Sequence, residues 1–520
     1  CVCNTTSITT NNNGTMNGNH YQDNKNNNDN NNDDDSVTYL KLILNYSSFR
    51  IFLCSFMITY IGEWLTYIAS LSLIEHILLN QQHDNDIDDN SNNNRTAISI
   101  LVMVRFLPFF LISPFGGVLA DGRDRRHSMI CLDILASGLV LGFVFAKYLQ
   151  SISLIYVLTF LQWTVAGLYE PCRSSIIPML VPDETYLKKA MTLSGILWST
   201  LAAIGSAMGG WLVSYVGFDG CFVIDCMTYL ASAFFLWLIG GYWNPDATNT
   251  DSGSGSSKKS TSYTSLWDKI KGMSIDGTKY VGNSFWGTLV ILKASGAMIW
   301  GAMDVLNVSF AEQQGSGSGS SELRLGYLFA FSGIGCLIGP ILADDFTTME
   351  VPSTMQRVCI LGLVFVTVGC MAMGGWNFGQ EQQEQQPFWS LLVWTVIRSM
   401  GSSVVWVYSS LLLQKNSSID MLGRVSSMDT ALALLAQSLT AYVLGGYCQD
   451  ELGLSAGDIS TYILGGMGII VTLFWTVYHM SGKGAANTTQ VQLHHENIIK
   501  EEEEKKNNKK GEEEELGLAA

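Results

Sequence analysis

Residues 116–127, GGVLADGRDRRH, form a short basic stretch between two long apolar runs. The run before it reads LVMVRFLPFFLISPF and the run after it reads SMICLDILASGLVLGFVFA. At about 1.5 Å per helical residue, each run is long enough to cross a hydrocarbon core of roughly 30 Å. So short a connection folds the second helix back antiparallel to the first, with Arg123, Arg125 and Arg126 on one membrane face. Because arginines favour the cytoplasmic face, this loop predicts the orientation of the whole chain.

The apolar runs predict an all-α integral membrane protein with twelve transmembrane helices. The spans are expected at 49–74, 97–119, 128–148, 152–177, 190–215, 221–242, 285–310, 325–343, 358–376, 388–414, 425–447 and 459–479. The polar stretch 243–284 is expected to be a cytoplasmic linker between two six-helix bundles, residues 49–242 and 285–480, arranged as parallel repeats. The Asn-rich segment 1–48 and the charged tail 481–520 are disordered by composition.

Loop charges support this topology. With both termini inside, the connections predicted to be cytoplasmic hold most of the bases, as at 123–126, 188–189 and 258–279, whereas the outer connections carry acids, as at 84–89 and 450–451. This asymmetry follows the positive-inside rule. It predicts a multi-pass protein with both termini in the cytoplasm, and we expect the plasma membrane rather than an organelle membrane.

Composition excludes several other classes of protein. The chain is 48% hydrophobic and only 14% charged, which is typical of polytopic membrane proteins. Most of the acid behind the net charge of −16 lies in the tails and one loop, so no basic surface for nucleic acid is predicted. The eleven cysteines lack metal-ligand spacing, and neither a metal nor a cofactor is expected.

The loop also carries a family resemblance. The residues concerned are Gly117, Leu119, Ala120, Asp121, Arg125 and Arg126. Their spacing resembles the loop between helices two and three of the major facilitator superfamily. Two positions depart from that pattern, because Gly122 stands where a base is usual and Asp124 where glycine is usual.

Four further segments resemble the same superfamily, and more narrowly its twelve-span drug-efflux and siderophore-export branch of drug:proton antiporters. Residues 171–182 carry a P-x-R…P-x-L-V-P signature, and GSAMGG at 205–210 is similar to an antiporter element, with Ser206 in place of proline. Span six has matching residues at 222–232, and GRVSS before span eleven resembles the loop between helices ten and eleven. The resemblance covers residues 49–480 and implies a major facilitator fold around a central cavity.

Two interpretations of the loop are open. Gly117, Asp121, Arg123, Arg125 and Arg126 can form a charge cluster with neighbouring helix ends that latches one conformation. Alternatively, the arginines are only a topology signal. We favour the latch, because topology alone does not require the spaced Gly and Asp.

Ionisable residues within the spans mark a candidate cavity, since such groups face the bundle interior or water rather than lipid. They are Glu63, Arg105, Glu170, Arg173, Lys293, Asp304 and Arg398. The resemblance implies that spans one, four, seven and ten, which hold six of the seven, line this cavity. Asp133 and Asp225 lie nearer the membrane edges and are expected to serve packing or the loop cluster.

Several pairings are possible among these groups. Glu63 and Arg105 lie at similar depth, so Glu63 is either a carboxylate that exchanges a proton or half of a permanent ion pair. Glu170 and Arg173 are three residues apart on one helical face and can neutralise each other. Arg398 is the best candidate for contact with an anion or substrate.

Glycines in spans five and eight are expected to allow close helix packing. They are Gly205, Gly209, Gly210, Gly333, Gly335 and Gly339. Because spans five and eight meet across the two halves in the resembled fold, these glycines can permit sliding as well as packing.

The sequence therefore predicts a secondary transporter that moves a small amphipathic organic molecule by alternating access, as proton-coupled efflux. A facilitator or importer of a lipid or metabolite is the alternative. An intramembrane enzyme is disfavoured, because His127 and Asp133 are the only near pair of catalytic type and lie at a helix start. A transporter-like sensor is a third class, supported only by a generic charged tail. The expected partners are the substrate, protons and the lipid bilayer, and we expect a monomer.

Overall fold

The computed structural model describes residues 39–85, 94–122, 124–241, 285–313, 320–344, 352–375, 386–416 and 419–481. Every regular element in these ranges is helical. The first half of the chain contains α1 Tyr39–Asn45, α2 Ser47–Asn85, α3 Asn94–Gly122, α4 Arg125–Tyr148, α5 Ile152–Leu180 and α6 Glu184–Ile239. Helix α1 lies within the segment 1–48 that was expected to be disordered, and it is ordered because Leu42 packs into the core of the first half.

The helix α6 covers both the fifth and the sixth predicted spans. It bends at Gly217, whose φ of 76° and ψ of 177° are not helical. A positive φ favours glycine, which has no Cβ to clash with the backbone. Residues 184–216 form the first arm of α6 and residues 218–239 the second arm, and they cross the membrane as two helices.

The second half contains α7 Phe285–Trp300, α8 Met303–Gln313, α9 Ser321–Asp344, α10 Pro352–Gly374 and α11 Phe388–Asn416. Helix α12 consists of Ile419–Thr440, the π-helical stretch Ala441–Tyr447 and Cys448–Asp450. Helix α13 consists of Ala456–Asp458, a second π-helical stretch Ile459–Leu464 and Gly465–Met480.

The seventh predicted span is broken rather than continuous. Residues 301 and 302 form a turn between α7 and α8. Gly301 packs directly on α12, where an added Cβ would lie 2.8 Å from the Gln437 Cα atom. Hydropathy does not register such a break, because the residues on both sides of it are apolar.

The helices have the length and surface expected of a membrane protein. Within the described residues, ten helices are long and apolar enough to cross a membrane, and one of them is the bent α6. Large apolar side chains such as Trp237, Ile470 and Phe474 are more than half exposed, as expected for faces that contact lipid. The chain is an integral, multi-pass membrane protein.

The two halves meet along two seams. The first arm of α6 packs on α9, and α3 packs on α12. In the first seam an added Cβ on Gly326 would lie 2.9 Å from both the Gly210 Cα atom and the Ser206 carbonyl oxygen. Gly333 is equally close to the backbone of Ala203. Glycine is required here because the two backbones touch.

The remaining glycines pack within one half. Gly205 and Gly209 face Trp64 and Ile68 of α2. Gly335 and Gly339 face α11, where an added Cβ on Gly335 would lie 2.5 Å from the Val396 carbonyl oxygen. Among these glycines, Gly210, Gly326 and Gly333 lie between the two halves, and the others lie between neighbouring helices of one half.

Replacing Gly326 with alanine should destabilise the protein. Alanine favours a helix by about 1 kcal/mol over glycine, but overpacking against α6 costs about 1–3 kcal/mol. We expect a lower thermal unfolding temperature for Gly326→Ala in detergent. The matched control is Gly138→Ala on α4, where an added Cβ meets nothing within 4 Å and the temperature should hold or rise. Equal effects of the two changes would contradict the close contact.

Candidate transport site

A polar cavity lies inside the first half, among α2, α3, α5 and α6. Its lining residues are Glu63, Thr66, Tyr67, Ser70, Leu101, Thr159, Gln162, Trp163, Ala166 and Tyr229. Its volume of about 20 Å³ has room for one water molecule. Glu63 is part-buried on its wall, and its Oε1 atom accepts a long hydrogen bond of 3.5 Å from the Tyr229 hydroxyl.

Arg105 of α3 lies beside this cavity in a cage of aromatic rings. Its guanidinium carbon is 3.5 Å from the centre of the Tyr67 ring and 4.3 Å from that of Trp163. The side chain is buried, and its Nε atom has no hydrogen-bond partner. An ion pair with Glu63, one of the two interpretations left open by the sequence, is not among the salt bridges of the described residues. The arginine contacts aromatic faces, which stabilise its charge.

Tyr67 links the two halves of the molecule at this depth. Its hydroxyl donates to Asp304 Oδ2 at 2.9 Å. Asp304 stands in the first turn of α8, directly after the break in span seven, where the positive end of a helix dipole favours an acid. Asp304 also interacts electrostatically with both Arg105 and Arg398. Asp304, one of the predicted cavity candidates, is thus a part-buried group at the contact between the halves.

Arg398 lies on α11 with its side chain buried and its Nε atom without a hydrogen-bond partner. The neighbouring helix α10 comes very close at this point, since an added Cβ on Gly369 would lie 2.6 Å from the Arg398 Cβ. The structure therefore places two arginines and Asp304 in one electrostatic group contributed by both halves.

Glu170 and Arg173 are brought together as a bidentate pair. Arg173 Nε donates to Glu170 Oε2 at 2.7 Å, and a second bond joins Nη2 to Oε1. Arg173 also donates to the Ser194 hydroxyl and stacks on Phe56, so the pair ties α5 to α6 and α2. This geometry suits a structural role.

Lys293 forms the most buried ion pair in the described part of the chain. It contacts Asp429 of α12, and both side chains are 1–2% exposed. Lys293 also donates to the Ser410 hydroxyl and lies 4.6 Å from the Trp406 ring centre. Sequence reasoning missed Asp429, although an acid inside predicted span eleven is itself a signal that a partner is present.

The described part of the predicted latch contacts helix ends. Arg126 donates to the carbonyl oxygens of Leu236, Trp237 and Gly241 at 2.7–2.8 Å, and so caps the end of α6. Arg125 donates to the Ser175 carbonyl oxygen near the end of α5 at 2.8 Å. The structure does not describe the contacts of Gly117 or of the Asp121 side chain, and Arg123 lies outside the described residues.

Asp124 explains one departure from the resembled loop. Its Oδ1 atom accepts from the backbone N–H groups of Arg126 and His127, at 3.0 and 3.3 Å, as the N-cap of α4. An aspartate at an N-cap satisfies donors that the helix leaves free. A glycine there would lack this cap.

Polar contacts also join the halves at the end predicted to face outward, the outer end. Arg95 of α3 forms a bidentate salt bridge with Glu312 of α8. Asp450 at the end of α12 accepts from the backbone N–H groups of Arg95 and Thr96, and so caps α3 from the opposite half. The Ser214 and Ser320 hydroxyls are 2.7 Å apart.

This fold and site define a class: a helical membrane carrier with two halves that meet around buried charged groups. The family model of the Major Facilitator Superfamily matches residues 51–428. The chain belongs to the major facilitator superfamily, and it is a transporter of that family.

Similar proteins include two uncharacterised MFS-type transporters of Bacillus subtilis (strain 168). YkuC is 22% identical over 416 residues, which cover 78% of this chain and 88% of YkuC. YfiS is 27% identical over 195 residues, which cover 38% of this chain and 43% of YfiS. Macrolide efflux protein A of Streptococcus pyogenes is 29% identical over 134 residues, 25% of this chain and 33% of that protein. The match thus spans under half of YfiS and a third of the macrolide efflux protein.

Solved transporters share the fold at low sequence identity. The nucleoside transporter NupG aligns with a TM-score of 0.56 and 12% identity, covering 83% of this chain and 98% of NupG. A bacterial homologue of the iron transporter ferroportin in an inward-facing state aligns with a TM-score of 0.56 and 13% identity, covering 85% of this chain and 99% of that chain. These likenesses concern architecture alone.

Asp429→Asn should destabilise the protein strongly, because it leaves the Lys293 charge buried without a counter-charge. Breaking such a pair costs about 3–5 kcal/mol, measurable as a large fall in thermal unfolding temperature. The matched control is Asp219→Asn, which breaks a part-exposed pair with Lys147 and should cost under about 1 kcal/mol. The double change Lys293→Met with Asp429→Leu should recover most of the loss. A mild effect of Asp429→Asn alone would contradict a charged pair.

Proposed function

We propose that this transporter exports a small amphipathic organic molecule by alternating access, driven by inward movement of protons. The observation that carries the proposal is the position of Glu63, whose part-buried carboxyl lies on the wall of a polar cavity. Among the described residues, this carboxyl forms no salt bridge. An intramembrane acid in that setting is free to bind and release a proton.

The surroundings of the site suit a substrate with an apolar body and a polar group. The rings of Trp64 and Tyr67 on α2 contact the ring of Phe329 on α9, with centres 5.6–5.8 Å apart. Beside them stand Arg105 and Asp304, which offer opposite charges. Aromatic walls with a few charged groups are typical of sites for amphipathic ligands. The efflux activity in the name of the Streptococcus pyogenes relative supports export of such a compound.

The remaining features of the proposal concern topology and assembly. Both termini are placed in the cytoplasm of a plasma-membrane protein, because the basic connections lie on that side. The bundles 49–242 and 285–480 act as the two moving units joined by the linker 243–284. The 116–127 loop latches one state through the helix ends that Arg125 and Arg126 contact. The protein works as a monomer, and as a carrier rather than an enzyme.

Alternating access requires the outer contacts to break during transport. A disulfide between Ser214→Cys and Ser320→Cys should lock them, because the two native hydroxyls are 2.7 Å apart across the halves. We expect oxidation to remove two maleimide-reactive thiols and to lower transport at least tenfold, with recovery on reduction. Each single cysteine variant serves as a control for the native thiols. Full transport by the cross-linked protein would contradict opening at this end.

Glu63→Gln should abolish the effect of a pH gradient on transport. Glutamine retains the size and hydrogen-bonding capacity of the side chain but cannot exchange a proton. The measurement is flux in proteoliposomes with an imposed pH gradient, using ethidium, erythromycin and a fluorescent fatty acid as probes. Wild type should show gradient-driven flux of at least one probe, and Glu63→Gln should show only downhill flux.

The matched control is Glu451→Gln, which removes an exposed acid at the outer end and should behave as wild type. Flux that ignores the gradient in wild type would replace the proposal with its alternative, a facilitator without proton coupling. Gradient-driven flux that persists in a normally folded Glu63→Gln variant would show Glu63 to be structural.

A further inference from the structure

We propose that a buried seam of carboxyl and hydroxyl groups between α2 and the second arm of α6 conducts protons, from Asp225 through Glu63 to Asp133. The seam lies within the first half, behind the site shared by the two halves. This inference rests on the proposed proton coupling and names its route.

Helical spacing aligns the members of the seam. Ser55, Thr59, Glu63 and Thr66 follow one another at intervals of four, four and three residues, which places them on one face of α2. Asp225, Tyr229 and Ser232 do the same on α6, at intervals of four and three. The two faces contact each other, because Ser55 is hydrogen-bonded to Ser232 and Thr66 to Asp225. Eleven residues separate Ser55 from Thr66, a rise of about 16 Å and so about half of the hydrocarbon core.

Asp225 forms the outer end of the seam. Its side chain is fully buried, and its Oδ2 atom accepts from the Thr66 hydroxyl at 2.5 Å. Its Oδ1 atom accepts from the Thr228 hydroxyl at 2.9 Å. Gly62 makes room for this arrangement, because an added Cβ there would overlap both Asp225 Oδ1 and the Thr228 hydroxyl. The carboxyl therefore touches α2 directly.

Glu63 and the polar cavity form the middle. Thr66, Tyr229 and Glu63 all line the cavity, so one water molecule there can bridge the outer end to Glu63. Thr159 Oγ1 is a second, independent sign of such water: it lines the cavity, is buried, and has no hydrogen-bond partner. Thr59 Oγ1, one turn below Glu63, is likewise buried without a partner. Buried hydroxyls left bare are costly, and ordered water satisfies them.

Asp133 of α4 forms the inner end. The Ser55 and Ser232 hydroxyls are 2.7 Å apart, and Ser232 donates to Asp133 Oδ2 at 2.6 Å. Ser55, Ser232 and Asp133 are all at most 1% exposed. This chain of hydrogen bonds joins α2, α6 and α4. Asp133 was expected to serve packing or the loop cluster. Neither Asp133 nor Asp225 contacts the described part of that loop.

A comparison within the molecule shows why packing alone does not account for the seam. In the second half, the buried Asp429 is neutralised by a lysine, which suits a permanent structural pair. Asp225 and Asp133 have only hydroxyl partners among the described side-chain contacts. Carboxyls that lack a fixed cation within a membrane span are typical of proton relays.

The charged and titratable groups around the seam come from every neighbouring helix. Those that act on Glu63 are Asp225, Arg105, Glu170 and Asp133, from α6, α3, α5 and α4. Tyr60 and Tyr229 also interact with Glu63, and Tyr169 of α5 interacts with Asp133. Arg105 is the cation in this group of residues that act on Glu63. It also interacts electrostatically with Asp304 and forms a cation–π contact with Tyr67. The protonation of Glu63 is thereby linked to the site between the halves.

The transfer moves one proton and no other atom. Once a proton binds Asp225, the carboxyl donates to the Thr66 oxygen and the Thr66 hydroxyl turns toward the cavity water. The proton then passes to the Thr66 oxygen as that hydroxyl releases its own hydrogen to the water, and it reaches Glu63 as the water gives up one hydrogen. From Glu63 it continues through water at Thr59 to Ser55, Ser232 and Asp133, each hydroxyl accepting one proton and releasing one. Asp133 then releases a proton on the cytoplasmic side.

The first test needs no transported compound. Infrared difference spectra between two pH values are recorded on the full chain in lipid nanodiscs. Wild type should show carbonyl bands of buried carboxylic acids that disappear as the pH rises. Asp225→Asn should remove one band, and Ser232→Ala should shift another, because Asp133 loses its hydrogen bond. Spectra of both variants identical to wild type would overturn the relay.

The second test uses proteoliposomes that contain the pH dye pyranine, with ethidium, erythromycin and the fluorescent fatty acid as probes. Proton movement coupled to the probe that wild type transports should fall at least tenfold in Asp225→Asn and severalfold in Ser232→Ala and Ser55→Ala, while downhill flux of that probe continues. Ser438→Ala is the matched control, since this buried serine bonds only a carbonyl of its own helix. If Asp225→Asn does not fold, the two small serine changes still decide the matter.

The outcomes separate the two proposals. A wild type whose carboxyl bands titrate but whose flux of all three probes ignores the gradient overturns the coupled transport, and the relay with it. A coupled wild type with fully coupled seam variants overturns the relay alone and leaves proton coupling by Glu63 intact.

Discussion

The cost of placing an ionisable group in hydrocarbon organises this protein. Each buried charge needs a counter-charge, a set of hydroxyl donors, an aromatic face or a water-filled cavity, because lipid offers none of these. The structure uses all four solutions. Lys293 has Asp429, Asp225 has two threonines, Arg105 has four aromatic rings, and Glu63 has the cavity. Helix packing is arranged so that each of these groups meets its partner.

The two halves solve the problem differently, and this suggests a division of labour. The second half holds its deepest charge in a closed ion pair, which favours rigidity. In the first half, buried carboxyls accept hydrogen bonds from hydroxyls or line a cavity with room for water. The protonation of these carboxyls can therefore change without leaving a buried lysine unpaired. Tyr67 and Asp304 join the two regimes, since their hydrogen bond connects the first half to α8 beside the cavity. A change in charge at Glu63 therefore has a short route to the contact between the halves.

Much of the fold was predictable because it depends on local physics. Apolar runs of membrane length, a short basic loop and the asymmetry of loop charges are each visible along the chain, and they led to helices where helices are found. The bend at Gly217 falls in the connection predicted between spans five and six, at residues 216–220. The break at residues 301–302 was not predictable in the same way, because it lies where a distant helix approaches closely and apolar composition does not report such an approach.

Prediction of the site was less complete, for a related reason. Glu170 and Arg173 could be paired in advance, since three residues on one helix set their distance. The partners of Arg105 and Lys293 could not, because aromatic rings and Asp429 reach them from other helices. Asp304 was expected among the cavity groups, but its hydrogen bond to Tyr67 of the other half could not be read from spacing. Asp133 and Asp225 were expected to serve packing or the loop cluster, and the hydroxyl partners that they have on α2 and α6 depend on helix packing.

The sequence by itself determined that this chain is a multi-pass helical membrane protein of the major facilitator superfamily, since hydropathy, loop charge and motif spacing are properties of the linear chain. Only the tertiary structure decided which ionisable groups are neutralised and which are left with hydroxyls, rings or water. That choice depends on the rotation and depth of each helix relative to its neighbours. Packing sets both, because a shift of one residue along a helix turns a side chain by about 100° around the axis.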